Sequence, residues 1–97
     1  MYLFIVENFP GKEAAGGEQK KGTYLAETCV AECLAESSCY CINYSAYPKT
    51  CYLVKDEVAC NPDSLTDAID SMINIKVSRI NDINSINSPK NVVCQLL

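Results

Sequence analysis

The sequence predicts an α+β fold in which one helix lies on a sheet and disulfides staple the two together. Three observations carry that prediction. Apolar residues from Leu25 to Leu34 recur at spacings of three and four, the period of a helix with one buried face. Short runs elsewhere alternate apolar and polar residues, as strands do. Five of the seven cysteines fall between Cys29 and Cys51, a span that covers both the helix and the hairpin after it.

In chain order, Tyr2 to Val6 are aromatic, aliphatic and β-branched, and Asn8-Phe9-Pro10-Gly11 closes the run with turn residues, which makes a first strand. The opening Met1 to Val6 lacks a basic n-region and meets Glu7 too soon for a signal peptide. A secreted domain is then either mature behind an added Met1 or a piece of a longer precursor. Lys12 to Gly22 is Gly, Lys, Glu and Ala with nothing to bury, and is read as a loop. Thr23 is the expected N-cap of a helix over about 24–37, with Leu25, Cys29, Val30, Cys33 and Leu34 on its stripe. Glu27, Glu32 and Glu36 fall largely on the solvent side.

Ser37-Ser38 ends the helical pattern, and Cys39 to Ser45 alternates, with Ile42 and Tyr44 on one face and Cys41 and Asn43 on the other. Ala46 to Lys49 turns at Pro48, and Thr50 to Lys55 returns as the second strand of a hairpin. Asn61 to Ser64 is a turn, and Leu65, Ile69 and Met72 fit a short helix. Residues 73–79 alternate as a strand. Ile80 to Ser88 carries a three-residue Ile-Asn rhythm too polar for a core and is read as a loop, and Asn91 to Leu97 is a last strand bearing Cys94. The whole reads as one domain over residues 1–97, with its core in 2–80 and a loop and C-terminal strand over 81–97.

A core this small gains from cross-links, and seven cysteines suit an oxidising, extracellular setting, secreted or at a cell surface. The chain has no histidine, which removes mixed Cys/His zinc sites and imidazole-based catalysis. A net charge of -4 disfavours nucleic acid and anionic membrane as partners, because both select clustered Lys and Arg. No run is long enough for membrane insertion. Cys39-x-Cys41 has no second close pair with which to hold a metal, and Asp67 with Asp70 is an ordinary solvated spacing. No catalytic residues, metal or cofactor are expected.

Cys29 and Cys33, four apart, project from one helix face towards the sheet. A bridge from the helix to the inward hairpin face fits Cys29 with Cys51, and Cys33 can reach Cys39 in the helix-to-strand turn. The pattern Cys29-x3-Cys33-x5-Cys39-x2-Ile42-x-Tyr44 with Cys51 close behind, preceded by Phe4 to Asn8 and by Gly22 to Glu27, resembles the PAN/apple domain family. The resemblance covers most of residues 2–55 and extends to the strand near 75. It implies a roughly five-stranded antiparallel sheet crossed by one helix, with Cys29–Cys51 and Cys33–Cys39 as core bridges. It also implies a non-catalytic extracellular module that binds a protein or carbohydrate, one domain of a larger protein. Apple domains commonly tie their two ends with a third bridge, and here no cysteine precedes Cys29.

Strand parity turns Cys41 away from the helix, towards either Cys60 or Cys94, and one cysteine of the three is left over. The leftover thiol is either free, its partner outside this chain, or an intermolecular link. Asn43-Tyr44-Ser45 is a glycosylation sequon that can be used if the outer sheet face is open. Among the tyrosines, Tyr44 belongs to the core, Tyr40 and Tyr52 face the opposite side, and Tyr47 tops the hairpin turn, so Tyr40, Tyr47 and Tyr52 are the candidate ligand contacts. A second class of function is a building block of an extracellular filament, coat or matrix, self-assembled or joined to neighbouring domains through strand edges.

Overall fold

The computed structural model describes residues 2–79 and 91–95, with residues 2, 3 and 91–95 described by their backbone. In chain order the elements are β1 (Tyr2–Pro10), β2 (Lys12–Glu13), β3 (Glu18–Gln19), α1 (Ala26–Ala35), β4 (Cys41–Ala46), β5 (Lys49–Val54), β6 (Thr66–Asp67), β7 (Met72–Arg79) and β8 (Asn91–Gln95). Five of the strands form an antiparallel sheet in the order β5-β4-β7-β1-β8, and two-residue β3 extends its β5 edge. The remaining short strands, β2 and β6, pair apart from it.

The helix crosses one face of this sheet. Phe4, Ile42, Tyr44, Leu53, Ile75 and Val77 point up from four strands to meet Leu34 and the cysteines of α1. Each such side chain contributes about 1.5–3 kcal/mol by leaving water. Bridges close the layer: Cys29–Cys51 ties the helix to β5, and Cys33–Cys39 ties it to the turn before β4. The Tyr44 hydroxyl donates to the Tyr24 carbonyl at 2.7 Å, so a core tyrosine also anchors the approach to the helix.

The end of α1 is held by an arginine at the end of β7. Arg79 donates through Nη2 to the carbonyls of Cys33, Leu34 and Glu36 and through Nη1 to that of Cys39. The Leu34 and Glu36 carbonyls among them belong to the end of the helix, where backbone acceptors lack intrahelical donors, and a cation suits that end of the dipole. Lys55 adds a tie between sheet and helix, bonded to Glu36 and beside Glu18, and those carboxylates raise its pKa above the usual lysine value.

Several expectations are corrected. The first strand runs to Pro10, beyond the predicted Val6, because Glu7 to Pro10 pair with Lys76 to Ile73. The 12–22 segment holds β2 and β3, since its backbone finds partners in β6 and β5 even though its side chains bury little. Thr23 does not cap the helix. Leu25 stands at the N-cap without a side-chain acceptor, and the Thr28 hydroxyl accepts from the Leu25 N–H and donates to the Leu25 carbonyl. The helix ends at Ala35, two residues before the expected limit at Ser37.

The short helix expected over Leu65, Ile69 and Met72 is absent. A 3-10 turn over Pro62–Ser64 leads instead into β6, and Ile69 is exposed while Leu65 packs on a small core, so the three residues form no common buried stripe. The strand near 75 takes in Met72 as well, and the hairpin strands begin and end within two residues of expectation. Residues 80–90, which include the Ile80 to Ser88 stretch read as a loop, lie outside the described residues, as do Leu96 and Leu97 of the last strand.

Candidate functional site

The sheet face opposite the helix is not open. Cys41 on β4 is joined to Cys60 in the loop after β5, which together with Val54, Ala14, Tyr40 and Leu65 makes a second small core on this side. Alternation along β4 had turned Cys41 outward with two possible mates, and Cys60 is the one taken. The three bridges use six of the seven cysteines, and the remaining Cys94, on β8 opposite Leu3, has a side chain outside the described residues.

Between this small core and the hairpin tip, one row of residues crosses the outer face. Gln19 of β3, Tyr52 of β5, Asn43 of β4, Asn74 of β7 and Phe9 of β1 are successive cross-strand neighbours. Asn43 organises the row. Its Oδ1 accepts from the Ala14 N–H at 2.9 Å and from Asn74 Nδ2 at 2.9 Å, and its Nδ2 donates to the Ala14 carbonyl at 2.8 Å. One side chain therefore pins the 13–17 loop onto the sheet as another strand would. Asn74 is fully buried and donates also to the Ile42 carbonyl, while its Oδ1 has no protein partner.

The glycosylation expectation for Asn43 is corrected by this arrangement. Parity does turn the side chain outward, but only 4% of the residue is exposed and its amide nitrogen is engaged beneath the loop. A glycan on that nitrogen has no room in this fold. The condition that the outer face be open is not met.

Beside the pinned loop is a hollow of about 360 Å³ walled by Glu13 to Gly17, Asn43, Tyr52 and Met72. Gly17 permits the close approach that shapes it. A Cβ there would stand 3.0 Å from Tyr52 Cβ and 3.3 Å from Asn43 Nδ2. Of the three tyrosines singled out as contacts, half-buried Tyr52 forms one wall of the hollow. Tyr40 packs on the outer core and borders a separate hollow with Glu57, Lys76 and Arg79. Tyr47 stands apart on the hairpin turn, 82% exposed. The structure does not bring the three together.

Glu13, Gly16, Gly17 and Met72 escaped the sequence reading as site residues, because the 12–22 segment looks like ordinary loop. The paired glycines were the available signal, since two adjacent residues without side chains mark a place where backbone comes close to something. Among the described residues, no group of three or more His, Cys, Asp or Glu stands where it could hold a metal, and no helix is long and apolar enough to cross a membrane.

The helix on its antiparallel sheet, and the Cys29–Cys51 and Cys33–Cys39 bridges, are the features on which the family resemblance was drawn. No curated protein and no solved structure matches the chain. The family model described as PAN domain matches residues 5–78, from β1 through β7, and the chain belongs to that family.

Proposed function

We propose that this chain is a non-catalytic, extracellular interaction module whose ligand, a protein or a carbohydrate, binds on the outer sheet face at the hollow beside Tyr52. PAN domains are in general protein- or carbohydrate-binding modules of extracellular, disulfide-rich proteins, which supplies the class. The observation that supports the place is the loop over Glu13 to Gly17, pinned by buried Asn43 against an aromatic wall. A preformed concavity with a few placed polar groups is the usual form of a ligand site.

A glycan array and a pulldown from extracellular fluid, each run with wild type and Tyr52→Ala, test the reading. Binding that falls in the variant supports it. A blank in both assays defeats the interaction reading, and binding that survives Tyr52→Ala moves the site elsewhere.

A second reading, a structural unit assembled edge to edge, is favoured by β8. Among the described residues it is an edge strand of the sheet, and it carries Cys94, the cysteine outside the three bridges. Sizing across concentration, beside a non-reducing gel, decides it: a monomer throughout removes the assembly reading.

A further inference from the structure

We infer that the hollow beside Tyr52 receives a single basic side chain, lysine or arginine, presented by a protein partner. The inference rests on the reading that this hollow is the ligand site and goes on to name what enters it. Its argument is the charge and the remaining bonding capacity of the walls.

Glu13 is the only charged residue in the wall. Among the described residues its carboxylate makes no hydrogen bond or ion pair, because its neighbour Lys12 is turned to Asp67 on β6. No Lys or Arg lines the hollow. A carboxylate without a counter-ion on a half-buried residue of the wall, in a chain of net charge -4, favours a cationic guest.

The other walls suit the guest's stem and head. Tyr52 offers a ring to a cation, and Met72 offers a polarisable thioether to a methylene chain. A hexose is served less well. Asn43, the amide that would read sugar hydroxyls, has its oxygen accepting two bonds and one of its two N–H donors given to Ala14. The side-chain polar groups left in the wall are the Glu13 carboxylate, the Tyr52 hydroxyl and one Asn43 N–H, few for a ring of hydroxyls, and the charged one among them suits an ammonium or guanidinium.

The test is an NMR titration of the folded chain, following the amides of Gly16 and Gly17 and the side-chain amide of Asn43. The probes are the N-acetyl methylamides of lysine, arginine and norleucine, and methyl galactoside. Lysine or arginine amide is expected to shift these resonances saturably, and norleucine amide, which keeps the stem and lacks the charge, is not. Glu13→Gln is expected to weaken the basic probes about tenfold, as is Tyr52→Ala. Because Tyr52→Ala also loosens the packing on Gly17, Glu13→Gln is the deciding variant.

Shifts from galactoside alone overturn the inference and leave the hollow as the ligand site. Equal affinity for lysine and norleucine amides, or affinity unchanged in Glu13→Gln, overturns it as well. Silence from every probe, together with array or pulldown binding that survives Tyr52→Ala, removes the hollow altogether.

Discussion

Residues 29–60 and the β1–β7 pair build one sheet by different means. All three bridges lie inside 29–60, and they act on both faces: Cys29–Cys51 and Cys33–Cys39 on the helix side, Cys41–Cys60 on the other. The β1–β7 pair has none. It is held by seven paired positions from Phe4–Arg79 to Pro10–Ile73, by burial of Phe4, Ile75 and Val77, and by the reach of Arg79 to the helix end. Cross-links act chiefly on the unfolded chain, whereas packing and pairing act only while the native contacts persist. The unstapled pair is therefore where the domain opens first. The hollow lies on the seam, with Asn43 and Tyr52 from the stapled strands and Glu13 to Gly17 from the unstapled side.

Phe4→Ala should expose the contrast most strongly. Phe4 is 2% exposed and, among the described residues, is the largest side chain that β1 sends into the core. Its truncation is expected to cost about 4 kcal/mol, from lost burial and the cavity left behind. Native-state hydrogen exchange is expected to speed up first in β1 and β7 while the amides of β4 and β5 keep more protection. Uniform loss over all four strands would show that the two regions unfold as one unit, and the comparison would fail.

Removing a staple is the converse experiment. Cys41→Ala combined with Cys60→Ala opens a loop of sequence separation 19. The chain-entropy model sets that loss at about 3 kcal/mol. The exchange order is expected to move the other way, with β4, β5 and the 55–60 loop gaining mobility relative to β1. Chemical denaturation of the double variant beside Phe4→Ala checks the ranking, and a cost near zero would mean that the outer core of Val54, Ala14 and Leu65 holds that loop unaided.

The two regions also differ in how much of them the sequence reveals. The stapled part is legible because cysteine spacing, helical period and strand alternation coincide there: Cys29, Cys33, Ile42 and Tyr44 each satisfy a periodic pattern and a chemical one. Beyond it the signals separate. Residues 12–13 and 18–19 form two-residue strands that bury little and are too short to show an alternation. Leu65, Ile69 and Met72 match a helical spacing by coincidence, and their neighbours Thr66 and Asp67 are drawn into pairing with Glu13 and Lys12. The hollow was legible only at Tyr52. Asn43 looked like a surface sequon because strand parity tells which face a side chain takes and not whether a loop will cover it.

Asn43→Ala tests the seam directly. The substitution leaves the Ala14 N–H and carbonyl and one Asn74 donor without their partner, beneath a loop that keeps water out. A cost of about 2 kcal/mol is expected, less than either preceding variant. The larger consequence is local: the Gly16 and Gly17 amides should lose protection while the β4–β5 pairing survives. Loop amides unchanged in this variant would show that the 13–17 segment is held by β2 and β6 rather than by Asn43.

The weakest contrast is expected at Lys12 and Asp67, whose ion pair joins β2 to β6 on the unstapled side of the seam. The hydrogen bond from Lys12 and the nearby positive charge lower the Asp67 pKa below the model-compound value. A carboxyl whose folded pKa lies below its unfolded one contributes stability above the unfolded value, near about 4, and that contribution fades as pH falls through the folded pKa. Both partners face solvent, so the contribution at neutral pH is small and salt-sensitive. Asp67→Asn is accordingly expected to unfold close to wild type at neutral pH and to become indistinguishable from it in acid. Carboxyl NMR is expected to find Asp67 titrating below the model-compound aspartate value, with the gap narrowing in Lys12→Gln. An Asp67 that titrates at the model-compound value would mean that β2 and β6 are joined by backbone alone, which would leave Asn43 as the main tie between the loop and the sheet.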